Sequence, residues 1–365
     1  MNDAAEPVGI NDFLRHLVER RGSDLHIKVG SPPVMRIDGV LHRTEFPKLG
    51  PQDTERAALE LMNERMAREF TETGEADFAY SYPGLGRFRC NAYRQRGSVG
   101  LAVRRVLPGS ATFGSLGLPP VVERLADEPR GLVLVTGMTG SGKTTTTGAI
   151  VNHINATKSV HIMTVEDPIE ILHPDRMAIV NQREIGIDTR DFAQALKRVL
   201  RQDPDVIFIG EMRDAETVHT ALTAAETGHL VISTLHTIDA TETINRVIEF
   251  YPPHQQKQAR MTLAGSLRGV LSQRLLPRAD GQGRIPTVEV LVMTGRVRDL
   301  IVNPDQTHMI QQVIAEGDYY GMQTFDQSLL KLFRDGHIRL DDALAAASNA
   351  HDFEIMLRQA GLVAT

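Results

Sequence analysis

Unbroken apolar runs, not alternating ones, mark the middle of this chain. They fall at residues 132–135, 161–165, 206–209 and 230–233, with helical patterns between them. Strands that are apolar at every position suit a parallel sheet covered on both faces. Their alternation with helices predicts an α/β core over residues 121–285. The preceding region reads differently. A helix is expected at residues 11–21 and short strands at 24–29, 34–37 and 100–106, with turns at Ser31-Pro32-Pro33, Asp38-Gly39 and Pro83-Gly84. One more helix, over residues 53–69, interrupts the strands, which predicts a small α+β domain over residues 1–110 with a mixed or antiparallel sheet. The Gly/Pro/Ser-rich stretch from Pro108 to Pro120 reads as a linker, placed at residues 111–120 between the two domains. From about residue 240 the pattern is largely helical. Leu263, Leu267, Leu271 and Leu275 recur every fourth residue and are expected on one helix face, and residues 286–365 form a mostly helical carboxy-terminal region.

Composition narrows the class. The chain has 365 residues, enough for two or three domains, with 41% hydrophobic and 24% charged residues. A net charge of −6 gives no broad basic surface for nucleic acid. The locally dense arginines between Arg87 and Arg105 have only Phe88 and Tyr93 among them, so a single-strand stacking platform is not expected. Cys90 is the only cysteine, which excludes an internal disulfide and a four-cysteine zinc site and suits a cytoplasmic protein. The amino terminus lacks the apolar core of a signal peptide. The apolar runs are far shorter than the roughly 20 residues that span a bilayer. No direct membrane insertion is expected, and work at a membrane would go through partners.

The strongest chemical signal is Gly137-Met138-Thr139-Gly140-Ser141-Gly142-Lys143-Thr144, which fits G-x-x-x-x-G-K-[ST] between an apolar strand and a helix that begins at Thr145. Glycines let successive N–H groups face a phosphate, and the helix amino terminus adds its positive end. Lys143 is expected on the β/γ-phosphates of ATP and the Thr144 hydroxyl on Mg²⁺. A second strand, DVIFIGE, ends in Glu211, and parallel strands deliver their carboxyl ends to the edge where ligands bind. Glu211 can orient a water, take its proton or hold the metal. A third strand ends in Thr164-Val165-Glu166-Asp167-Pro168-Ile169-Glu170, whose carboxylates offer a further metal and water wall. His229 and His236 bracket a fourth apolar strand. Their odd spacing points them to opposite faces, so a metal pair is not expected, while one of them is a candidate γ-phosphate sensor. Arg198 and Arg201 lie on the polar side of a helix whose apolar face is Phe192, Leu196 and Val199. They could reach a neighbour's nucleotide or simply face solvent.

The Walker A loop, TVEDPIE, DVIFIGEMRD and AETGHLVISTLHT occur here in one order. This arrangement resembles the secretion and pilus ATPases of the type II/type IV superfamily, in particular the PilT-type twitching-motility ATPases. GSDLHIKVGSPPVMRIDG, GRFRCNAYRQRG and Gly321-Met322-Gln323-Thr324-Phe325-Asp326 extend the resemblance over nearly the whole chain. It implies a PAS-like amino-terminal domain, a RecA-like P-loop ATPase domain, and a homo-hexamer that closes on ATP between subunits. It further implies an inner-membrane pilus platform protein as partner, a second retraction ATPase as a further candidate partner, and a place at the cytoplasmic face of the inner membrane. By position, Glu166 matches the family's Asp box, Glu211 its Walker B carboxylate, and His229 and His236 its His box. Arg198, Arg201, Arg213 and Arg105 match arginines that could complete a neighbour's site. The chain lacks the long amino-terminal extension and cysteine-rich insert of assembly and secretion ATPases, which favours retraction. One segment departs from the pattern. The family's AIRNLIRE, tied there to retraction and not to hydrolysis, reads Arg296-Val297-Arg298-Asp299-Leu300-Ile301-Val302-Asn303. The expected function is therefore an ATP-hydrolysing retraction motor. The alternatives are an assembly, secretion or DNA-uptake motor, and a nucleotide-binding accessory subunit of low activity.

Overall fold

A computed structural model describes residues 9–106 and 111–363. The chain divides into two compact units, Met1–Leu107 and Pro108–Thr365.

In the first unit, helix Ile10–Glu19 buries Ile10, Phe13, Leu14 and Leu17, the spacing that puts one stripe of a helix into a core. Six strands follow: β1 Asp24–Ile27, β2 Val34–Ile37, β3 Val40–Arg43, β4 Glu75–Tyr82, β5 Gly86–Gln95 and β6 Ser98–Val106. They form one sheet in the order β3-β2-β1-β6-β5-β4. Every pairing is antiparallel. The helix expected over residues 53–69 is two helices, Pro51–Glu60 and Glu64–Thr73. Asn63 causes the break: its side-chain oxygen accepts from the Met66 N–H at 3.0 Å and caps a new helix.

The second unit carries β7 Gly131–Thr136, β8 His161–Glu166, β9 Ile179–Glu184, β10 Val206–Ile209, β11 Leu230–Leu235, β12 Leu267–Pro277 and β13 Arg284–Val292. Their order is β13-β12-β7-β11-β10-β8-β9. All pairs are parallel except β12 with β13. Strands β7, β10 and β11 are buried at every position, as their unbroken apolar runs require. Alternate residues serve opposite cores. Leu132 and Leu134 enter one with Leu222 and Val247, whereas Val133 and Val135 enter the other with Ile150 and Ile154. The described part of the expected linker is folded onto this unit. A short helix, Phe113–Leu116, is capped by Thr112, and Leu118 is buried in the second of these cores.

The largest correction concerns the four leucines. Helix Gln256–Ser266 ends before Leu267, so Leu267, Leu271 and Leu275 lie on β12 and not on a helix with Leu263. A four-residue period is ambiguous, because residues four apart share a face in a strand as well as in a helix. A register shift between Leu267 and Gly269 then sends Leu267 into one core and Leu271 into the other. Strands β12 and β13 thus interrupt the region expected to be helical from about residue 240. Beyond them helices resume. Leu329, Phe353 and Leu357 close a further core against Leu276 and Ile285 of the two strands.

Candidate active site

Strand β7 runs into the glycine-rich loop, and helix Lys143–Thr157 leaves it. The loop needs glycine at Gly137, where φ is 140° and an added Cβ would stand 2.5 Å from the Gln273 carbonyl oxygen. Gly142, at φ 94°, turns the chain into the helix. The Lys143 ammonium donates to the carbonyls of Gly137 at 2.6 Å and Met138 at 3.0 Å. Burial pulls its pKa below the ordinary lysine value, against the opposing charges of Glu211 and Glu170.

Strand order brings the other groups to this loop. Because β11 lies between β7 and β10, the residue just beyond its end, His236, stands between Lys143 and Glu211. Its Nδ1 is 3.5 Å from Lys143 Nζ and its Nε2 is 3.3 Å from Glu211 Oε2. The Arg213 guanidinium pairs with the Glu211 carboxylate and lies 3.6 Å from Asp167 Oδ2. A continuous polar chain therefore runs from the glycine-rich loop to the segment after β8.

Glu166 ends β8 and is buried at 6% exposure. Its Oε1 accepts from the Thr164 hydroxyl at 2.6 Å and the Gln182 amide at 3.1 Å. Burial pushes its pKa up to about 7, while hydrogen bonds from Thr164, Gln182 and the Glu170 backbone pull against that rise. The folded state then holds this proton more tightly than the unfolded state. The stability tied to it is present below pH 4.5 and is lost as pH rises through about 7. Glu166→Gln mimics the protonated form. In nucleotide- and magnesium-free protein its melting temperature should match the parent's in acid and exceed it above neutral pH, by an effect on the order of 3 kcal/mol. Thermal melts of both proteins across pH check this, and parallel curves would refute it.

Lys143, His236, Glu211, Arg213 and Glu166 line a cavity of about 490 Å³ with Thr139, Gly140, Thr144, Thr145, Asp167, Glu170 and Arg284. Its donor set suits a nucleoside triphosphate and a hard cation. Glycine-loop backbone and a lysine face a hydroxyl and several carboxylate oxygens.

Other expected residues lie elsewhere. His229 precedes β11 at the opposite end of the strand from His236, with its Nδ1 2.9 Å from the Ala224 carbonyl oxygen. Arg198 and Arg201 line a separate open cleft of about 810 Å³ with Asp191, Gln194 and Gln202. Arg105 belongs to β6 of the first unit. Two contributors had no motif to mark them. Arg284 comes from β13, in a region expected to be helical, and Gln182 comes from β9, whose burial is intermittent.

Comparison with known proteins agrees with this arrangement. Residues 119–342 match the family model described as type II/IV secretion system protein. The chain is 42% identical over 347 residues to the type IV pilus ATPase PilU of Pseudomonas aeruginosa, covering 95% of this chain and 90% of that protein. It is 41% identical over 344 residues to PilT, the type IV pilus retraction ATPase of the same organism, covering 94% and 99%. A crystal structure of the pilus retraction motor PilT with bound ADP superposes with a TM-score of 0.86 at 45% identity, over 96% of this chain and 100% of that one. A family model that spans most of the chain, and relatives matched over nearly their full length, lead to one conclusion: this chain belongs to the type II/IV secretion system protein family of P-loop ATPases.

Proposed function

We propose that this protein is an ATPase motor that hydrolyses ATP to ADP and phosphate and uses the energy to retract type IV pili, the activity behind twitching motility. One observation carries the reading. The match to PilT and PilU runs through 99% and 90% of those proteins, whereas the match to a type II secretion system protein E and to the assembly ATPase PilB of Pseudomonas aeruginosa spans 48% and 47% of theirs.

In this reading the amides of Gly137 to Thr145 and the Lys143 ammonium bind the phosphates. Thr144, Glu211 and Glu166 would hold Mg²⁺, which would supply positive charge against the charge developing on the phosphates. Glu211 or Glu166 orients the attacking water and takes its proton. His236, hydrogen-bonded to both sides of the pocket, reports its state to β11. His229, Arg198, Arg201 and Arg105 are candidates for a neighbour's pocket in a homo-hexamer, since the first three lie on other surfaces of this unit. Among the described residues no helix is long and apolar enough to cross a membrane. We place the ring in the cytoplasm, against an inner-membrane platform protein.

Deleting the gene should leave excess, immobile surface pili. Bald cells would overturn the retraction reading in favour of assembly. A second reading, an accessory ring that works beside another retraction ATPase, has its own support. The chain is as similar to PilU as to PilT, and Val302 and Asn303 depart from the segment tied to retraction. Purified protein decides: ATP bound without turnover above background supports the accessory subunit.

A further inference from the structure

Strands β8 and β9 pair in parallel, with Thr164 beside Gln182 and Glu166 beside Glu184. Residues two apart on a strand share a face, so these four side chains lie together on one side of the sheet. One amide there has an unusual set of partners. Gln182 Nε2 donates to Glu166 Oε1 at 3.1 Å and to the Ile171 carbonyl at 2.8 Å, and its Oε1 accepts from the His173 N–H at 2.8 Å. Glu184 accepts from the Ile169 N–H at 2.9 Å. The segment that follows Glu166 is thus tied to β9 at three backbone positions, and Gln182 joins two of them to the carboxylate itself, beside the hydrogen bond that the Glu170 backbone gives that carboxylate directly. The Thr164 hydroxyl donates to the same oxygen at 2.6 Å. Two donors on one oxygen restrict rotation of the carboxyl group about its last torsion, which is otherwise broad.

We propose that Gln182 is a positioning residue for the ATPase reaction: its amide fixes the orientation of the Glu166 carboxyl group in the pocket and locks that orientation to the segment 169–173. The residue is suited to this by being neutral. A lysine or arginine at the same place would pair with the carboxylate and compete with metal and water for it, and an apolar residue would take one donor from Glu166 and remove the side-chain partner of the Ile171 carbonyl and the His173 N–H. The inference rests on the assignment of Glu166 to the ATPase site made above.

The test is steady-state ATP hydrolysis by the full-length protein, with thermal melts alongside. Gln182→Leu should lower kcat about tenfold or more while KM stays within about twofold. In a Glu166→Gln background the same change should add no further loss in kcat, because its effect passes through the carboxylate. An equal loss in both backgrounds, or a change confined to KM and melting temperature, would show a merely structural anchor and overturn the inference. Should Gln182→Leu not fold, Gln182→Glu keeps the acceptor for His173 and, assayed well above neutral pH, lacks the donor to Glu166; it carries the same expectation. Failure of the parent reading looks different: Lys143→Ala and Glu166→Gln would then both turn over ATP like the parent, whatever Gln182 does.

Discussion

Lys143→Ala should abolish most ATP turnover, with a loss of roughly 100-fold or more. The ammonium sits at the start of helix Lys143–Thr157, held by the carbonyls of Gly137 and Met138. It is already partly desolvated there, which strengthens its attraction to phosphate oxygens. Alanine keeps the helix, since it is the best helix former, and it removes no core contact. The variant should therefore melt close to the parent while losing the cation that the loop itself presents to the phosphates. The loss should appear in both kcat and KM, because ground-state and transition-state phosphates carry negative charge. Turnover like the parent's, measured as phosphate release by purified protein, would remove the loop from the chemistry and with it the ATPase assignment.

Glu211→Gln should lower kcat by about a thousandfold, within the range for positioned proton transfer, while ATP still binds. The carboxylate is where His236 and Arg213 meet, and its side chain is 13% exposed. The amide has nearly the same shape and still accepts from Arg213. It cannot accept a proton from water, and it offers a weaker metal ligand. Comparison with Glu166→Gln then separates the two candidate bases: the one that takes the proton should show the larger loss in kcat at unchanged nucleotide affinity. If Glu211→Gln kept the parent's kcat, Glu211 would be no more than a partner for Arg213 and His236.

The two carboxylates also illustrate how far a sequence can be read. Both were found as acidic residues at the ends of apolar strands, because parallel strands present their carboxyl ends on one edge. Their environments were not legible. Glu166 is buried, with the amide of Gln182 from the next strand on its carboxylate, and Glu211 lies between the guanidinium of its near neighbour Arg213 and the imidazole of the distant His236. Gln182, the amide partner of Glu166, is only 16 residues further along the chain, yet it sits on a strand with mixed burial that carries no motif. The histidines show the same limit. Spacing predicts opposite strand faces for His229 and His236, whereas the structure places them just beyond opposite ends of β11, and only the order β7-β11-β10 reveals that His236 falls between the lysine and Glu211.

Local chemistry by itself determined the glycine loop with its strand and helix, the buried parallel strands and the carboxylates at their ends. These depend on steric freedom at glycine and on apolar periodicity, which act over a few neighbouring residues. The tertiary structure alone decided that Leu267, Leu271 and Leu275 belong to a strand, that Arg284 lines the pocket and that Gln182 reaches Glu166. A four-residue spacing satisfies helix and strand equally, so the choice falls to what the segment pairs with: β7 on one side and β13 on the other. Which side chains share a pocket follows in turn from strand order, a property of long-range pairing that no local pattern encodes.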